Sequence, residues 1–133
     1  MQERYAGFVV GLPVAPDGRI VVIKKGEQIS FLTAEHEATG CEETSLLQVA
    51  LRKIGLATDR QAYECLSYIP PSTEEKWSSQ GLEWKAYRVN IQEQDLRWLK
   101  PESEYGQTAL LSPEEILSGE LHSWYRYIIE RRL

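Results

Sequence analysis

The first residues that could do chemistry form an acidic run, Glu35-His36-Glu37. Carboxylates and an imidazole can bind a divalent cation or transfer protons. Three consecutive polar residues cannot all face one site, however, so a solvent-exposed loop is the favoured interpretation. Glu42 and Glu43 follow a few residues later, just before the best predicted helix.

Four cations form a second candidate group. Arg52 and Lys53 lie near the end of that helix, and Lys24 and Lys25 end a predicted strand. Ammonium and guanidinium groups can bind phosphate oxygens without a metal, Arg in bidentate fashion. An exposed helix face and a polar strand end are the simpler interpretation, which we favour slightly over an anion site.

The aromatic residues add two further candidates. Glu83 and Trp84 lie on a predicted strand, where the indole could stack on a base and the carboxylate could accept a hydrogen bond. Packing in the core is the alternative for Trp84. Trp77 and Trp98 lie in polar segments, and they either fold back on the core or belong to a surface for a partner.

The elements that would position these residues follow from hydrophobic periodicity and turn signals. A hairpin turns at Ala15–Gly18, and a loop is expected over Thr33–Thr44. A helix over Glu43–Ile54 has one apolar stripe and ends at Gly55. A second helix begins at Ser112, as its Ser-Pro-Glu-Glu start indicates. The expected strands cover Ala6–Val14, Arg19–Lys25, Ile29–Leu32, Ala62–Ile69, Leu82–Ile91 and Thr108–Leu111, and the last expected helix covers Leu121–Arg131.

This order predicts one α/β or α+β domain over residues 1–133, a sandwich with a mixed sheet. Hydrophobic residues make up 42% of the 133, which is enough for one core. The formal net charge of −5 argues against a nucleic-acid partner.

No apolar run approaches the roughly 20 residues that cross a bilayer, and the first residues do not resemble a signal peptide. We therefore expect a cytoplasmic protein with no membrane partner. The two histidines and two cysteines have no zinc-site spacing.

Three local features resemble the Nudix family. The opening hairpin with its Asp-Gly turn is similar to the paired strands that begin Nudix domains. The run Ala50–Leu56 is similar to the end of the Nudix box, and Thr108–Leu117 resembles the strand and short helix that close the domain. The resemblance extends along nearly the whole chain and implies an α/β/α sandwich.

The Nudix box reads G-x5-E-x7-R-E-U-x-E-E-x-G-U. This chain differs from the box most at the positions of its glutamates. The resemblance implies that its glutamates bind a divalent metal, which clamps a diphosphate and activates water. Anchored at Gly55, the box places Gln48 and Val49 on its Arg-Glu pair and Arg52 and Lys53 on its Glu-Glu pair. The upstream loop also lacks the Pro-Gly-Gly of the family. We therefore expect neither the usual metal site nor the usual phosphate loop.

The favoured hypothesis is a Nudix-fold binding or regulatory module without a metal or cofactor, for a protein partner or a nucleotide-like small molecule. The alternative is a divergent Nudix hydrolase that cleaves a nucleoside diphosphate linked to another moiety and uses Mg²⁺. Its candidate catalytic residues are Glu35, Glu37, Glu42, Glu43 and Glu83. A third hypothesis is an unrelated small α+β domain with an accidental resemblance.

Overall fold

The computed structural model of the chain describes residues 6–37, 43–56, 63–69, 83–121 and 123–131. Within these ranges the strands are β1 (Ala6–Val14), β2 (Ile20–Lys25), β3 (Gln28–Ser30), β4 (Leu32–Glu37), β5 (Tyr63–Ile69), β6 (Glu83–Asn90), β7 (Glu102–Ser103) and β8 (Gly106–Leu111). The helices are α1 (Glu43–Lys53), α2 (Pro113–Leu117) and α3 (Ser123–Arg131), with a 3₁₀ helix over Glu93–Trp98.

The strands form one sheet in the order β5-β6-β1-β2-β8-β7, and β3 and β4 pair with β2 and β1. The sheet is mixed because β1 runs parallel to β6 but antiparallel to β2 and β4. This confirms the predicted α+β class with a mixed sheet.

The opening hairpin turns where the sequence predicts. The amide of Gly18 donates to the carbonyl oxygen of Ala15 at 2.9 Å, and the amide of Ala15 donates to the carbonyl oxygen of Arg19 at 2.8 Å. Gly18 has a φ of 91°, which an L side chain adopts only with strain. Asp17 accepts hydrogen bonds from the backbone and side chain of Arg19. Pro, Asp and Gly therefore form the turn through local chemistry.

Alternation along β1 divides the core between the two faces of the sheet. Val10, Leu12 and Val14 pack in one cluster with Ile116 of α2 and Ile128 of α3. The opposite face carries the second cluster, in which α1 packs on the sheet. That cluster contains Val21, Ile23, Leu32, Ala50, Leu51, Ile54, Leu56, Val89 and Ile91. The sheet thus lies between α1 on one side and α2 with α3 on the other.

The predicted helix over Glu43–Ile54 is confirmed as α1, one residue shorter at its end. Leu47, Leu51 and Ile54 are completely buried, and Ala50 is nearly so. Gly55 ends the helix with a φ of 93°. Its amide donates to the carbonyl oxygen of Arg52 at 3.0 Å.

The predicted loop over Thr33–Thr44 is wrong for its first part. Residues 33–37 belong to β4, which pairs antiparallel with β1 from Ala6 to Gly11. In the hairpin register β2 pairs with β1 only at Val14 and Ile20, so the earlier part of β1 offers an edge to β4. Pairing satisfies the backbone groups of this polar segment without an apolar alternation. The predicted strand over Ile29–Leu32 is likewise divided between β3 and β4.

The closing helix start is confirmed. Ser112 Oγ accepts from the amide of Glu115 at 3.2 Å, and Glu115 Oε1 accepts from the amide of Ser112 at 3.0 Å. These reciprocal bonds hold the pKa of Glu115 below its usual value. Within the described parts of the chain, no helix is long and apolar enough to cross a membrane.

Candidate functional site

The exposed side of α1 carries the positions that the Nudix resemblance assigns to metal-binding glutamates. Val49 is 49% exposed, and Arg52 and Lys53 are exposed in the last turn. The same register places buried Ala50 on the apolar position of the box and Gly55 on its glycine. The helix therefore has the orientation that the register requires, with aliphatic and cationic residues at the exposed positions.

Lys53 is held by the β7–β8 turn. Its Nζ lies 3.1 Å from Glu104 Oε1 and 5.9 Å from the centroid of the Tyr105 ring. The pKa of Lys53 is raised, first by the hydrogen bond with Glu104 and then by the Tyr105 phenol. The ammonium is thus stabilised in its charged form and already has an anionic partner.

The two lysines that end β2 lie on different faces of the sheet. Lys25 alternates with Val21 and Ile23, which pack with α1, whereas Lys24 alternates with Ile20 and Val22, which pack with α2 and α3. A Cβ built on Gly106 would lie 3.4 Å from Lys25 Cγ. Lys25 and Lys53 therefore adjoin the same turn, Glu104–Gly106, and Lys24 is separated from them by the sheet.

The candidate glutamates lie on strands on either side of β1 and at the start of α1. In the register of β4, Glu35 is opposite Phe8 and Glu37 is opposite Ala6. In the register of β6, Glu83 is opposite Gly7 and Trp84 is opposite Phe8. Two strand spacings, roughly 10 Å, separate the two strands. Glu43 is the first residue of α1. Glu42 and Trp77 lie outside the described residues.

The described residues on the exposed side of α1, Val49, Arg52 and Lys53, do not fit a divalent metal. Mg²⁺ takes oxygen ligands, which neither a valine side chain nor two cations supply. Among the side chains that the structure describes, no three His, Cys, Asp or Glu residues lie close enough to hold a metal ion. We therefore derive no step of chemistry through a metal at this position.

The structure also contains features that sequence reasoning missed. Trp98, at the end of the 3₁₀ helix, is 68% exposed. Its carbonyl oxygen lies against the α-carbon of Gly55, where a Cβ would overlap it. No local pattern indicates this contact between residues so far apart in the chain. The interpretation that Trp98 folds back on the core is wrong.

A shallow cavity of about 250 Å³ lies beside the hairpin turn. Its lining consists of Ala15, Pro16, Asp17, Arg19, Glu93 and Leu96. Asp17 and Arg19 form an ion pair of 2.6 Å, and the hydrogen bonds that Asp17 accepts from the backbone amide and then the side chain of Arg19 hold the pKa of Asp17 below its usual value. Asp17 and Arg19 therefore satisfy each other, and Glu93 is the remaining charge of the lining.

No family model and no curated protein matches this chain. Solved structures do. A MutT protein of Bacillus halodurans matches with a TM-score of 0.69 and 10% identity, over 95% of this chain and 80% of that one. The Nudix domain of Shewanella oneidensis NrtR, in a structure with ADP ribose, matches with a TM-score of 0.68 and 7% identity, over 98% and 86%.

The C-terminal domain of mouse MUTYH, in a complex with human PCNA, matches with a TM-score of 0.63 and 10% identity, over 97% of this chain and 86% of that one. A candidate oxidoreductase of Sinorhizobium meliloti 1021 matches with a TM-score of 0.64 and 15% identity. The chain covers 96% of its own length there but spans only 38% of that protein. At these identities the similarity concerns the fold alone, and the chain has the Nudix fold.

Proposed function

We propose that this chain is a binding or regulatory module built on the Nudix fold, without the metal-dependent pyrophosphohydrolase activity of the family. One observation carries the proposal. The exposed side of α1 presents Val49, Arg52 and Lys53 in the register in which Ala50 is buried and Gly55 ends the helix. The helix keeps the packing of a Nudix box and lacks its carboxylates.

Electrostatics supports this proposal. Two unit charges 4 Å apart interact by roughly 4 kcal/mol at an effective dielectric constant near 20. Replacing two carboxylates with Arg52 and Lys53 changes attraction for Mg²⁺ into repulsion of similar size. The Lys53 charge is balanced by Glu104, so the protein supplies its own counter-charge at this position.

The ligand class is either a protein partner or a nucleotide-like small molecule. A structure of the NrtR Nudix domain contains ADP ribose, and the MUTYH domain is in complex with PCNA. These ligands are known for those two proteins only. For this chain they indicate the two ligand classes to test, a nucleotide-like small molecule and a protein. Lys25 and Lys53 adjoin one turn, but Glu104 already pairs with Lys53, and Lys24 lies on the other face, so these lysines do not favour an anionic ligand over a protein partner.

The test is a hydrolysis assay on nucleoside diphosphate derivatives, including ADP ribose, with Mg²⁺ or Mn²⁺ at pH 7 to 9. We expect no turnover. A matched gain-of-function variant, Val49→Glu with Arg52→Glu and Lys53→Glu, should bind Mn²⁺ in calorimetry where the unmodified chain does not. Clear turnover by the unmodified chain would contradict the proposal.

The second candidate is the divergent hydrolase. The placement of Glu35 and Glu37 on β4, a strand that contacts α1, favours it, because strands position side chains better than loops. Glu43 at the start of α1 belongs to the same group. If this enzyme exists, Glu42→Gln or Glu43→Gln should abolish a turnover that requires Mg²⁺. Turnover that survives both changes would exclude these residues from catalysis.

A further inference from the structure

The most exposed large apolar side chain among the described residues is Trp98. The 3₁₀ helix packs Leu96, and the following Leu99, against the core cluster beneath α1. Trp98 lies between these two inward residues and remains 68% exposed. Tryptophan is one of the three residue types, with tyrosine and arginine, that are enriched at the energetic centres of protein interfaces.

Backbone contacts at Gly55 bring the chain segments of two cations, Arg52 and Lys100, against the segment that carries Trp98. The amide of Lys100 donates to the carbonyl oxygen of Ile54 at 2.9 Å. The amide of Gly55 donates to the carbonyl oxygen of Arg52 at 3.0 Å. The carbonyl oxygen of Trp98 lies against the α-carbon of Gly55. Arg52, Trp98 and Lys100 therefore extend from chain segments that touch one another, and we call these three residues the Trp98 surface.

The two cations of the Trp98 surface differ from Lys53 in their partners. Arg52 and Lys100 are exposed and form no ion pair with the residues that the structure describes. Two nearby carboxylates are already engaged: Glu104 pairs with Lys53, and Asp95 accepts from the amide of Gln92 at 3.3 Å. The Trp98 surface therefore presents an apolar ring with two available positive charges, on a chain whose formal net charge is −5.

We infer that the Trp98 surface binds an acidic segment of a protein partner, an inference that rests on the proposed binding function. Carboxylates of the segment pair with Arg52 and Lys100, and an apolar side chain of the segment packs on the indole of Trp98. Arg and Trp are the residue types that contribute most at such interfaces. The charges complement an acidic partner and repel a basic one.

Charge also decides against a nucleic acid, although an indole can stack on a base. Nucleic-acid binding requires several cations along the phosphate backbone. The segment that carries Trp98 also carries Glu93 and Glu102, both exposed, and these would repel the phosphates of a nucleic acid as well as any peptide carboxylate that lies beyond the two cations. A short acidic peptide can place its carboxylates at the two cations alone.

The test begins with a selection of displayed random 12-residue peptides on the purified chain. We expect enrichment of sequences with Asp or Glu next to a large apolar residue. A synthetic peptide of the enriched sequence should then bind about tenfold or more weakly to Trp98→Ala and to the double variant Arg52→Glu with Lys100→Glu. Calorimetry measures both affinities, and thermal unfolding verifies that each variant is folded.

Arg131→Glu is the matched control, because Arg131 is also an exposed cation in the last turn of a helix, α3. It should bind the peptide as the unmodified chain does. The inference is overturned if no acidic sequence is enriched, if the variants at Arg52, Trp98 and Lys100 bind as well as the control, or if a 12-nucleotide oligo(dT) binds more tightly than the peptide. The proposed function fails on a different result, hydrolysis of a nucleotide, so the two failures can be distinguished.

Discussion

The buried and exposed sides of α1 differ in how closely they follow the Nudix box. On the buried side Ala50 and Leu51 pack against the sheet, and Gly55 ends the helix with a φ of 93°. On the exposed side, the proposed register places Arg52 and Lys53 where the box has glutamates. In the proposed register, one helix therefore has the apolar pattern that packs it and lacks the carboxylates with which the box binds a metal.

This difference teaches that the fold and the chemistry of a Nudix helix depend on separate residues. Burial of apolar side chains contributes roughly 25 cal/mol per Å² and requires only that one stripe stay apolar. A metal site requires carboxylates on the opposite side, which add nothing to that packing. Substitution of the exposed residues can therefore remove one function and leave a stable surface for another.

The largest expected effect is at the end of α1, where the two sides meet. Gly55→Ala should lower the free energy of unfolding by about 2–6 kcal/mol, because about 1–3 kcal/mol of backbone strain adds to about 1–3 kcal/mol of overlap with the Trp98 carbonyl. Gly18→Ala is the matched control, with a φ of 91° and no atom within 4 Å of the added Cβ. It should cost only the backbone strain, about 1–3 kcal/mol. Equal losses in urea unfolding would show that residues 98–100 do not press on Gly55.

The next largest effect is the difference in unfolding free energy between substitutions at two neighbouring residues, one on each side of the helix. Leu51→Ala should cost about 2–5 kcal/mol, because Leu51 is completely buried. Arg52→Ala should change the free energy of unfolding by no more than about 0.5 kcal/mol, because its side chain is exposed. Denaturant midpoints at a common m-value measure both. A large loss in Arg52→Ala would mean that the exposed side supports the fold and would break the comparison.

The smallest effect concerns the Lys53–Glu104 contact. The pKa of Lys53 is raised above 10.5 in the folded chain, so the folded state binds this proton more tightly than the unfolded state. The resulting stabilisation is present below about pH 10.5 and is lost as the pH rises through the folded pKa. Glu104→Gln should flatten this alkaline decrease in the thermal midpoint, because it removes the main cause of the shift.

Glu102→Gln, which removes a nearby exposed carboxylate that pairs with no described cation, is the control for that decrease. It should retain the alkaline decrease of the unmodified chain. If both variants behave alike, the Lys53 proton is held by the general field of the acidic residues and not by Glu104.

Several elements could be predicted because their signals are local. The apolar stripe of α1, the Pro-Asp-Gly turn and the Ser112–Glu115 capping box each depend on residues a few positions apart. Such signals need no knowledge of the rest of the chain. The same holds for the positions of Val49, Arg52 and Lys53 in the proposed register, on which the proposed absence of the metal site rests.

The sequence by itself therefore determined the mixed α+β class, the main helix and the chemical types of the candidate residues. Only the tertiary structure decided which of them lie together. β4 forms because β1 offers it an edge, Lys53 pairs with a carboxylate 51 positions away, and Lys24 is separated from Lys25 by the sheet. The backbone of Trp98 lies against Gly55, whereas its indole is exposed. These contacts join residues distant in the chain, and such contacts leave no periodicity, capping or turn signal in the sequence.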